Sequence, residues 1–187
     1  MSAQTKGLKL SENEVSQTID LRELFGVSLS GNGALKEAIA QDIIDLIKER
    51  TDSGKSVNGG NLKKPYSKTY SESLEFEVFG KSKNDINMKL TGTMLDTMDV
   101  LSNSANTIKI GWSGDEQAAK AYNHNVGDTV PKRPFFGINK SELNKIKSKY
   151  ESVVEREAGN LQSEKDSIRN AILKRLRRIN ILDVDNG

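Results

Sequence analysis

The chain contains no cysteine among its 187 residues, and its only histidine is His124. The absence of cysteine excludes a disulfide framework, a thiol nucleophile and a zinc site with cysteine ligands. A GKS tripeptide at 54–56 has Glu49 where a phosphate-binding loop requires its first glycine, so it predicts no nucleotide site. One histidine leaves carboxylate chemistry, and no paired carboxylates stand out. We therefore predict no catalytic residue, no metal site and no cofactor, and we expect a protein that is not an enzyme.

Long apolar runs are missing as well, and none approaches the roughly 20 residues that cross a bilayer. The stretch 1–17 lacks an apolar signal core, so we expect a protein made and used in a cytoplasm, with no membrane partner. Hydrophobic residues make up 35% and charged residues 29%, which indicates a modest core with long solvated helices or a polar interface. A net charge of +2 does not mark the whole chain as a nucleic-acid binder.

The first clear pattern is a helix that starts near 30–33 and ends near 50–54. Its apolar face is formed by Leu35, Ile39, Ile43, Ile44 and Ile47. Residues 1–30 precede it, and the polar stretch up to Thr18 favours a flexible or partner-ordered arm. Within this arm, the segment 19–29 carries apolar anchors that fit either a short helix or a strand.

Strands are predicted downstream of this helix. Alternation at Leu74, Phe76 and Val78 indicates a half-buried strand, and Ile86, Met88 and Leu90 repeat the pattern, so the two predict a hairpin. TIKIGW at 107–112 predicts a third strand, with Trp112 covering the margin of the sheet. The predicted fold is α+β: a small antiparallel sheet packed by an N-terminal helix, followed by a C-terminal helical extension.

Two methionines lie on a short helical stripe that precedes the third strand, where Thr91 or Thr93 is the expected cap. Met94 and Met98 at this spacing are typical of a core or a subunit interface. A helical turn or two and a loop follow, and they contain His124. We interpret that histidine as structural, hydrogen-bonding a loop, with a pH switch or a ligand as the alternative.

The segment PKRPFFGI at 131–138 has two prolines that hold it extended. If the segment is a strand, Phe135 and Phe136 point to opposite faces, so that one packs inward and the other meets a neighbour. With Arg133 they form a basic, aromatic group of the composition enriched at interface hot spots.

Residues 139–187 form the predicted helical extension, with Ser141 as its cap and a break at Gly159. A second apolar stripe follows the break, and the tail at 181–187 is expected to be able to pair with a strand. Candidate basic contacts are Lys63, Lys64, Lys174, Arg175, Arg177 and Arg178. The first two suit a solvated loop or a nucleic-acid contact, and the other four suit a favourable helix dipole or a phosphate contact.

In chain order, the segments RTDSGKSVNG, PYSKTYSESLEF, LTGTMLDTMDVLS, TIKIGW, AAKAYNHNVG and PKRPFFGI resemble the virion morphogenesis family of tailed phages. This family comprises small neck and tail-completion proteins of the head–tail junction. The resemblance covers roughly residues 35–138, and 31–138 is the predicted α+β core. The first thirty residues and the last fifty lie outside it, so the C-terminal helices inherit no role.

The resemblance implies a non-enzymatic α+β subunit that forms a ring around the DNA channel and joins a capsid portal or connector to a tail. The implied partners are copies of itself, other neck, connector or tail proteins, and DNA in the channel. The protein would be located in the virion, after assembly in the host cytoplasm. We expect Arg133, Phe135, Phe136, Met94 and Met98 to be assembly contacts. The alternatives are a nucleic-acid-binding accessory protein that uses the basic residues, and a hydrolase with an unrecognised site.

Overall fold

A computed structural model describes residues 7–62, 65–84, 86–88, 92–114 and 116–184, with the backbone alone for 177–184. One antiparallel sheet has the strand order β1-β2-β4-β3. Its strands are β1 (Leu8–Ser11), β2 (Glu14–Asp20), β3 (Asp99–Ser104) and β4 (Thr107–Ser113). The helices are α1 (Leu21–Phe25), α2 (Gly33–Asp52), α3 (Lys68–Ser71), α4 (Leu74–Val78), α5 (Thr93–Asp96), α6 (Glu116–Val126) and α7 (Lys140–Val184).

This architecture confirms the α+β fold with a small antiparallel sheet, an N-terminal helix packed on it and a C-terminal helical extension. Helix α2 has the predicted bounds and contacts β3 and β4. Its residues Ile39, Ile43, Ile44 and Ile47 are fully buried, as their spacing predicts. Strand β4 is also where TIKIGW predicted it.

The prediction of a flexible or partner-ordered segment at residues 1–30 is wrong for most of its length. Strand β2 lies in the interior of the sheet between β1 and β4, and its Val15 and Ile19 are buried. The sequence did not predict this strand, because its polar residues interrupt the apolar alternation. Buried Ser16 donates to Glu14 Oε1 at 2.7 Å, and Gln17 Oε1 accepts from the backbone N–H of Ile138 at 2.8 Å. Polar residues are tolerated in a buried strand when such partners satisfy them.

The hairpin predicted from the alternation at 74–90 is also wrong. Residues Leu74–Val78 form helix α4, and the Ser73 side chain caps it by accepting from the Phe76 N–H. Only Phe76 of this helix is buried, whereas Leu74 and Val78 are exposed. The second half of the hairpin is not a strand at 86–88, and Leu90 lies outside the described residues. Five residues are too few to distinguish the two periods.

The short helix and the strand after it divide LTGTMLDTMDVLS differently from the prediction. Helix α5 ends at Asp96, so Met94 lies in it, whereas Met98 follows it and strand β3 begins at Asp99. Its N-cap is Gly92, which supplies no side-chain hydrogen bond, so Thr93 is not the cap; Thr91 lies outside the described residues. Trp112 does not cover the sheet margin, because its side chain is buried in the core.

Helix α7 begins with a capping box formed by Asn139 and Glu142, not with Ser141. The Asn139 side chain accepts from the Glu142 N–H at 3.0 Å, and the Glu142 carboxylate accepts from the Asn139 N–H at 2.9 Å. The helix continues through Gly159 without the predicted break. A glycine in a helix costs about 1 kcal/mol, which the neighbouring helix formers offset. Residues 181–184 are helical, so this part of the tail does not pair with a strand.

Candidate functional site

The segment PKRPFFGI runs extended outside the four described strands and turns both phenylalanines inward. Phe135 is 0% and Phe136 is 2% exposed, which contradicts the expectation that they point to opposite faces. Both rings pack on Trp112, with centroid distances of 6.0 and 5.2 Å. Because the segment does not lie in the sheet, the alternation of a paired strand does not apply to it.

Buried polar side chains hold the backbone of this segment in place. The Asn125 side chain accepts from the Phe136 N–H at 3.0 Å, and the Gln17 side chain accepts from the Ile138 N–H. The Arg50 guanidinium donates to the carbonyls of Phe135 and Gly137 and to the carboxylate of Glu142. Sequence reasoning did not single out these partners, since they lie far apart along the chain. The segment is therefore an internal brace that joins α2, β2, α6 and α7.

The five residues predicted as assembly contacts are all buried within the monomer. They are Arg133, Phe135, Phe136, Met94 and Met98. The Arg133 guanidinium lies 5.1 Å from the centre of the Tyr66 ring and donates to the Pro65 carbonyl at 3.2 Å. The Met94 carbonyl accepts from the Trp112 indole N–H at 2.8 Å. The prediction of a surface contact through these side chains is wrong, because their aromatic and basic composition serves the interior of the fold.

A cleft of about 560 Å³ opens beside Arg133. Its lining includes Tyr66, Tyr70, Gln117, Lys120 and His124, and none of the described residues that line it is acidic. The cationic side chains favour an anionic group over a cation, and the tyrosine rings can stack on an aromatic group. Within the described part of the chain, no group of acidic and histidine side chains could hold a metal ion.

His124 contributes to the cleft with a neutral ring. Burial, with a smaller contribution from the Arg133 charge, lowers the pKa of His124 to about 4. The expected hydrogen bond to a loop is made by its backbone: the His124 carbonyl accepts from the Arg133 N–H at 2.7 Å. The His124 Nδ1 and Gln117 Oε1 atoms are buried and have no hydrogen-bond partner among the described residues. The histidine is thus structural through its main chain, and its ring is a polar group at the cleft wall.

An exposed apolar surface lies on the second half of α7. The helix packs against α1 and α2 up to Val154, which is buried, and residues 162–176 are exposed throughout. Ile168, Ile172 and Leu176 are 53%, 55% and 51% exposed. We call residues 162–184 the arm, and at about 1.5 Å per residue it extends roughly 35 Å beyond the body. Such a stripe on a solvated helix is typical of an interaction surface.

A second apolar surface lies on α4 and its C-cap residue, where Leu74, Val78 and Phe79 are exposed. On the opposite side of this helix, Phe76 packs with Tyr66 and Tyr70 at centroid distances of 5.5 and 5.3 Å. This aromatic cluster holds the short helix to the body, and the outer face of the helix stays exposed.

The structure describes only some of the residues predicted as basic contacts. Lys174 and Arg175 are exposed on the arm. Lys63 and Lys64 lie outside the described residues, as do the side chains of Arg177 and Arg178.

Comparisons with protein-family models, with curated proteins and with solved structures found no match to this chain. Across the described residues, helices long and apolar enough to span a membrane are absent.

Proposed function

We propose that this protein is a structural virion protein of a tailed phage, a subunit of the neck or tail-completion ring that joins the capsid portal or connector to the tail. The observation that carries the proposal is the arm. About half of a 45-residue helix leaves the body with an apolar stripe uncovered. An exposed stripe of this kind gains stability when a neighbouring subunit covers it.

The order of the resembling segments supports the same proposal. TGTMLD provides α5, TIKIGW lies in β4, AAKAYNHNVG lies mostly in α6, and PKRPFFGI is the internal brace. These segments pack on one another through Trp112 and Asn125. The part of the chain that resembles the phage family therefore belongs to the body, together with the first three elements and the start of α7, and assembly is left to exposed surfaces. In this proposal the protein is not an enzyme.

The partners in this proposal are copies of the same chain, neighbouring neck, connector or tail proteins, and the DNA that passes through the channel. The protein is assembled in the host cytoplasm and remains in the virion. The α4 surface with Leu74, Val78 and Phe79 offers a second contact, on a part of the body separate from the arm. A ring subunit needs two surfaces, because each copy contacts a neighbour on either side.

The test is electron microscopy of phage particles made without this protein and complemented with variants. We expect full heads without tails, or tails with an unfinished end, when the protein is missing. The double variant Ile168→Asp and Ile172→Asp should reproduce this defect. The matched control is Ser163→Asp with Asn170→Asp, which adds the same charge to the opposite face of the helix. Normal infectious particles in the absence of the protein would exclude the proposal.

A second candidate function is nucleic-acid binding by the basic end of the arm, because Arg169, Lys174 and Arg175 are all exposed there. Contacts with phosphates release counterions, so this function requires an affinity that falls steeply with added salt. A fluorescence anisotropy titration with duplex DNA at several salt concentrations distinguishes the two. The virion proposal expects little affinity from the purified protein.

A further inference from the structure

The arm and the α4 surface are two exposed apolar surfaces of opposite charge. The arm contains six basic and three acidic side chains, for a net charge of +3. The α4 surface is formed by residues 72–79, which contain three acidic side chains and no basic one, for a net charge of −3. The neighbouring Lys68, Lys81 and Lys83 lie outside this segment. Lys81 lies over the ring of Tyr66, 5.5 Å from its centre, and that ring packs on the inner side of α4.

The acidic residues of the α4 surface lie beside its apolar residues. Successive residues of a helix are about 100° apart around its axis. Leu74 and Val78 therefore point away from the buried Phe76, and they are 72% and 70% exposed. Glu75 and Glu77 lie on either side of this apolar pair, and both are exposed. The outer face of α4 is thus an apolar centre between two negative charges.

The arm has the same arrangement with the opposite charge. Ile168, Ile172 and Leu176 are separated by four residues each, so they lie on one face of the helix. Arg169 and Arg175 stand three residues before and after Ile172, which places them on either side of this face, and both are exposed. A depression on the face includes Ile168, Arg169 and Ile172 in its lining. The two surfaces are therefore complementary in both apolar character and charge.

We infer that the arm of one copy of this chain binds the α4 surface of a second copy, with the apolar residues in contact and the glutamates beside the arginines. This inference rests on the proposed function, because it identifies the contact between neighbouring subunits of the ring. The contact joins two different surfaces, so it is heterologous. Heterologous contacts repeated from copy to copy form a ring when the rotation between neighbours closes.

The charges disfavour the other self-contacts that these surfaces could make. Two paired arms would bring together two surfaces of net charge +3, and two paired α4 surfaces would bring together two of net charge −3. Like charges across an interface oppose association. The arm does not cover the α4 surface of its own chain, since both are exposed. Of these combinations, only an arm on the α4 surface of another copy pairs opposite charges.

The test uses two full-length variants that each keep one of the two surfaces. Leu74→Asp with Val78→Asp removes the α4 surface and leaves the arm, whereas Ile168→Asp with Ile172→Asp removes the stripe and leaves the α4 surface. We expect each variant alone to be a monomer. An equimolar mixture should give a species of twice the mass with one chain of each kind, and nothing larger. Sedimentation velocity at up to about 1 mM measures this, because a small interface binds weakly.

The wild-type protein and a charge control complete this experiment. Each wild-type chain has both surfaces, so its oligomers should grow beyond the dimer as the concentration rises. The control Ser163→Asp with Asn170→Asp, on the opposite face of the arm, should associate like the wild type. The mixed dimer itself establishes that both variants are folded, and circular dichroism checks each one alone.

Three outcomes would overturn the inference. Dimers of the variant that keeps only the arm would show arm-to-arm pairing, and dimers of the variant that keeps only the α4 surface would show pairing of α4 with itself. A mixture that remains monomeric would show that the two surfaces do not bind each other, even if the wild-type protein associates.

Reversal of the charges tests the electrostatic part of the contact. In the chain that supplies the arm, Arg169→Glu with Arg175→Glu should abolish the mixed dimer. In the other chain, Glu75→Lys with Glu77→Lys should then restore it, because opposite charges again meet across the interface. A mixed dimer that tolerates the reversal in one chain alone would overturn the inference.

The mixed dimer and the phage particles separate this inference from the proposed function. If the mixed dimer forms but phage particles assemble normally without the protein, the contact stands and the virion role falls. If particles lack tails but the mixed dimer never forms, the virion role stands and the contact between arm and α4 is wrong.

Discussion

The Nη1 atom of Arg50 lies 2.7 and 2.6 Å from the two carboxylate oxygens of Glu142, and both side chains are largely buried. Arg50 lies in the last turn of the long helix α2, and Glu142 lies in the first turn of α7. The other amino group of the guanidinium bonds the carbonyls of Phe135 and Gly137. This one side chain thereby connects the two long helices with the segment that packs on Trp112.

Removal of Arg50 should therefore be strongly destabilising. We expect Arg50→Ala to lower the free energy of unfolding by about 3–5 kcal/mol, because it leaves the buried Glu142 carboxylate without its cation. Urea denaturation followed by circular dichroism measures the change. A double-mutant cycle with Glu142→Gln should show strong coupling between the two sites. A loss below about 1 kcal/mol would contradict this interpretation.

Gly111 should not accept a side chain. It has a φ of 138°, and a Cβ atom there would lie 2.0 Å from the carbonyl oxygen of Val15 on the neighbouring strand. We expect Gly111→Ala to lower the free energy of unfolding by at least about 2 kcal/mol, since backbone atoms must separate. Gly159→Ala is the matched control, because nothing lies within 4 Å of its Cβ position in helix α7. It should be neutral, or stabilising by up to about 1 kcal/mol.

His124 gives a clean spectroscopic prediction, since it is the only histidine. Its pKa, about 4, is lowered by burial and by the charge of Arg133, so an NMR titration of its ring should show a midpoint well below the ordinary value of 6.5. The unfolded chain then takes up this proton first as the pH falls. The free energy of unfolding is therefore unaffected by His124 above pH 6.5, and it decreases as the pH falls from 6.5 to about 4.

The unfolding free energy provides the second check on His124. We expect His124→Gln to remove a decline of about 3 kcal/mol over this pH range. A ring that titrates near 6.5 in the folded protein would contradict the burial of this side chain.

Glu14 predicts a second decline at lower pH. Hydrogen bonds from Lys109, Lys9 and Ser16 lower the pKa of Glu14 from 4.5 to about 2. The stabilising contribution is complete above pH 4.5 and is lost as the pH falls to about 2. We expect it to be about 1 kcal/mol, because the lysines are partly solvated. Glu14→Gln should flatten this part of the stability profile, whereas Glu12→Gln, an exposed change in the same hairpin, should leave it unaltered.

The sequence predicted those elements in which a simple period coincides with burial. Helix α2 has isoleucines on one face, and β4 alternates Ile108 and Ile110 with Lys109, so both were placed correctly. Strand β2 was missed because Gln17 stands at an inward position between Val15 and Ile19 and interrupts the apolar alternation. Its partner, the backbone of Ile138, is 121 residues away and leaves no local sign.

The prediction that these residues are assembly contacts was wrong for a related reason. Aromatic and basic residues such as Phe136 and Arg133 are typical of interfaces, but the same composition suits an interior brace when the chain folds back over them. Asn125 and Arg50 hold the backbone of Phe136 and Phe135, and these roles follow from tertiary contacts alone. In contrast, the stripe with Ile168 and Ile172 was visible in the sequence, and the structure adds that the body leaves it exposed.

The position of β2 in the sheet affects when this protein can fold during its synthesis. Glu14 pairs with Ser113 and Asp20 with Thr107, so the interior of the sheet joins the beginning of the chain to its second half. Contacts between residues so distant in sequence slow folding, because the intervening loop must close first. The sheet cannot form until residues up to Ser113 have been synthesised. Until then, the isoleucine face of α2 remains exposed to solvent. We expect the body to fold only after the segment that begins with Pro131 has been synthesised.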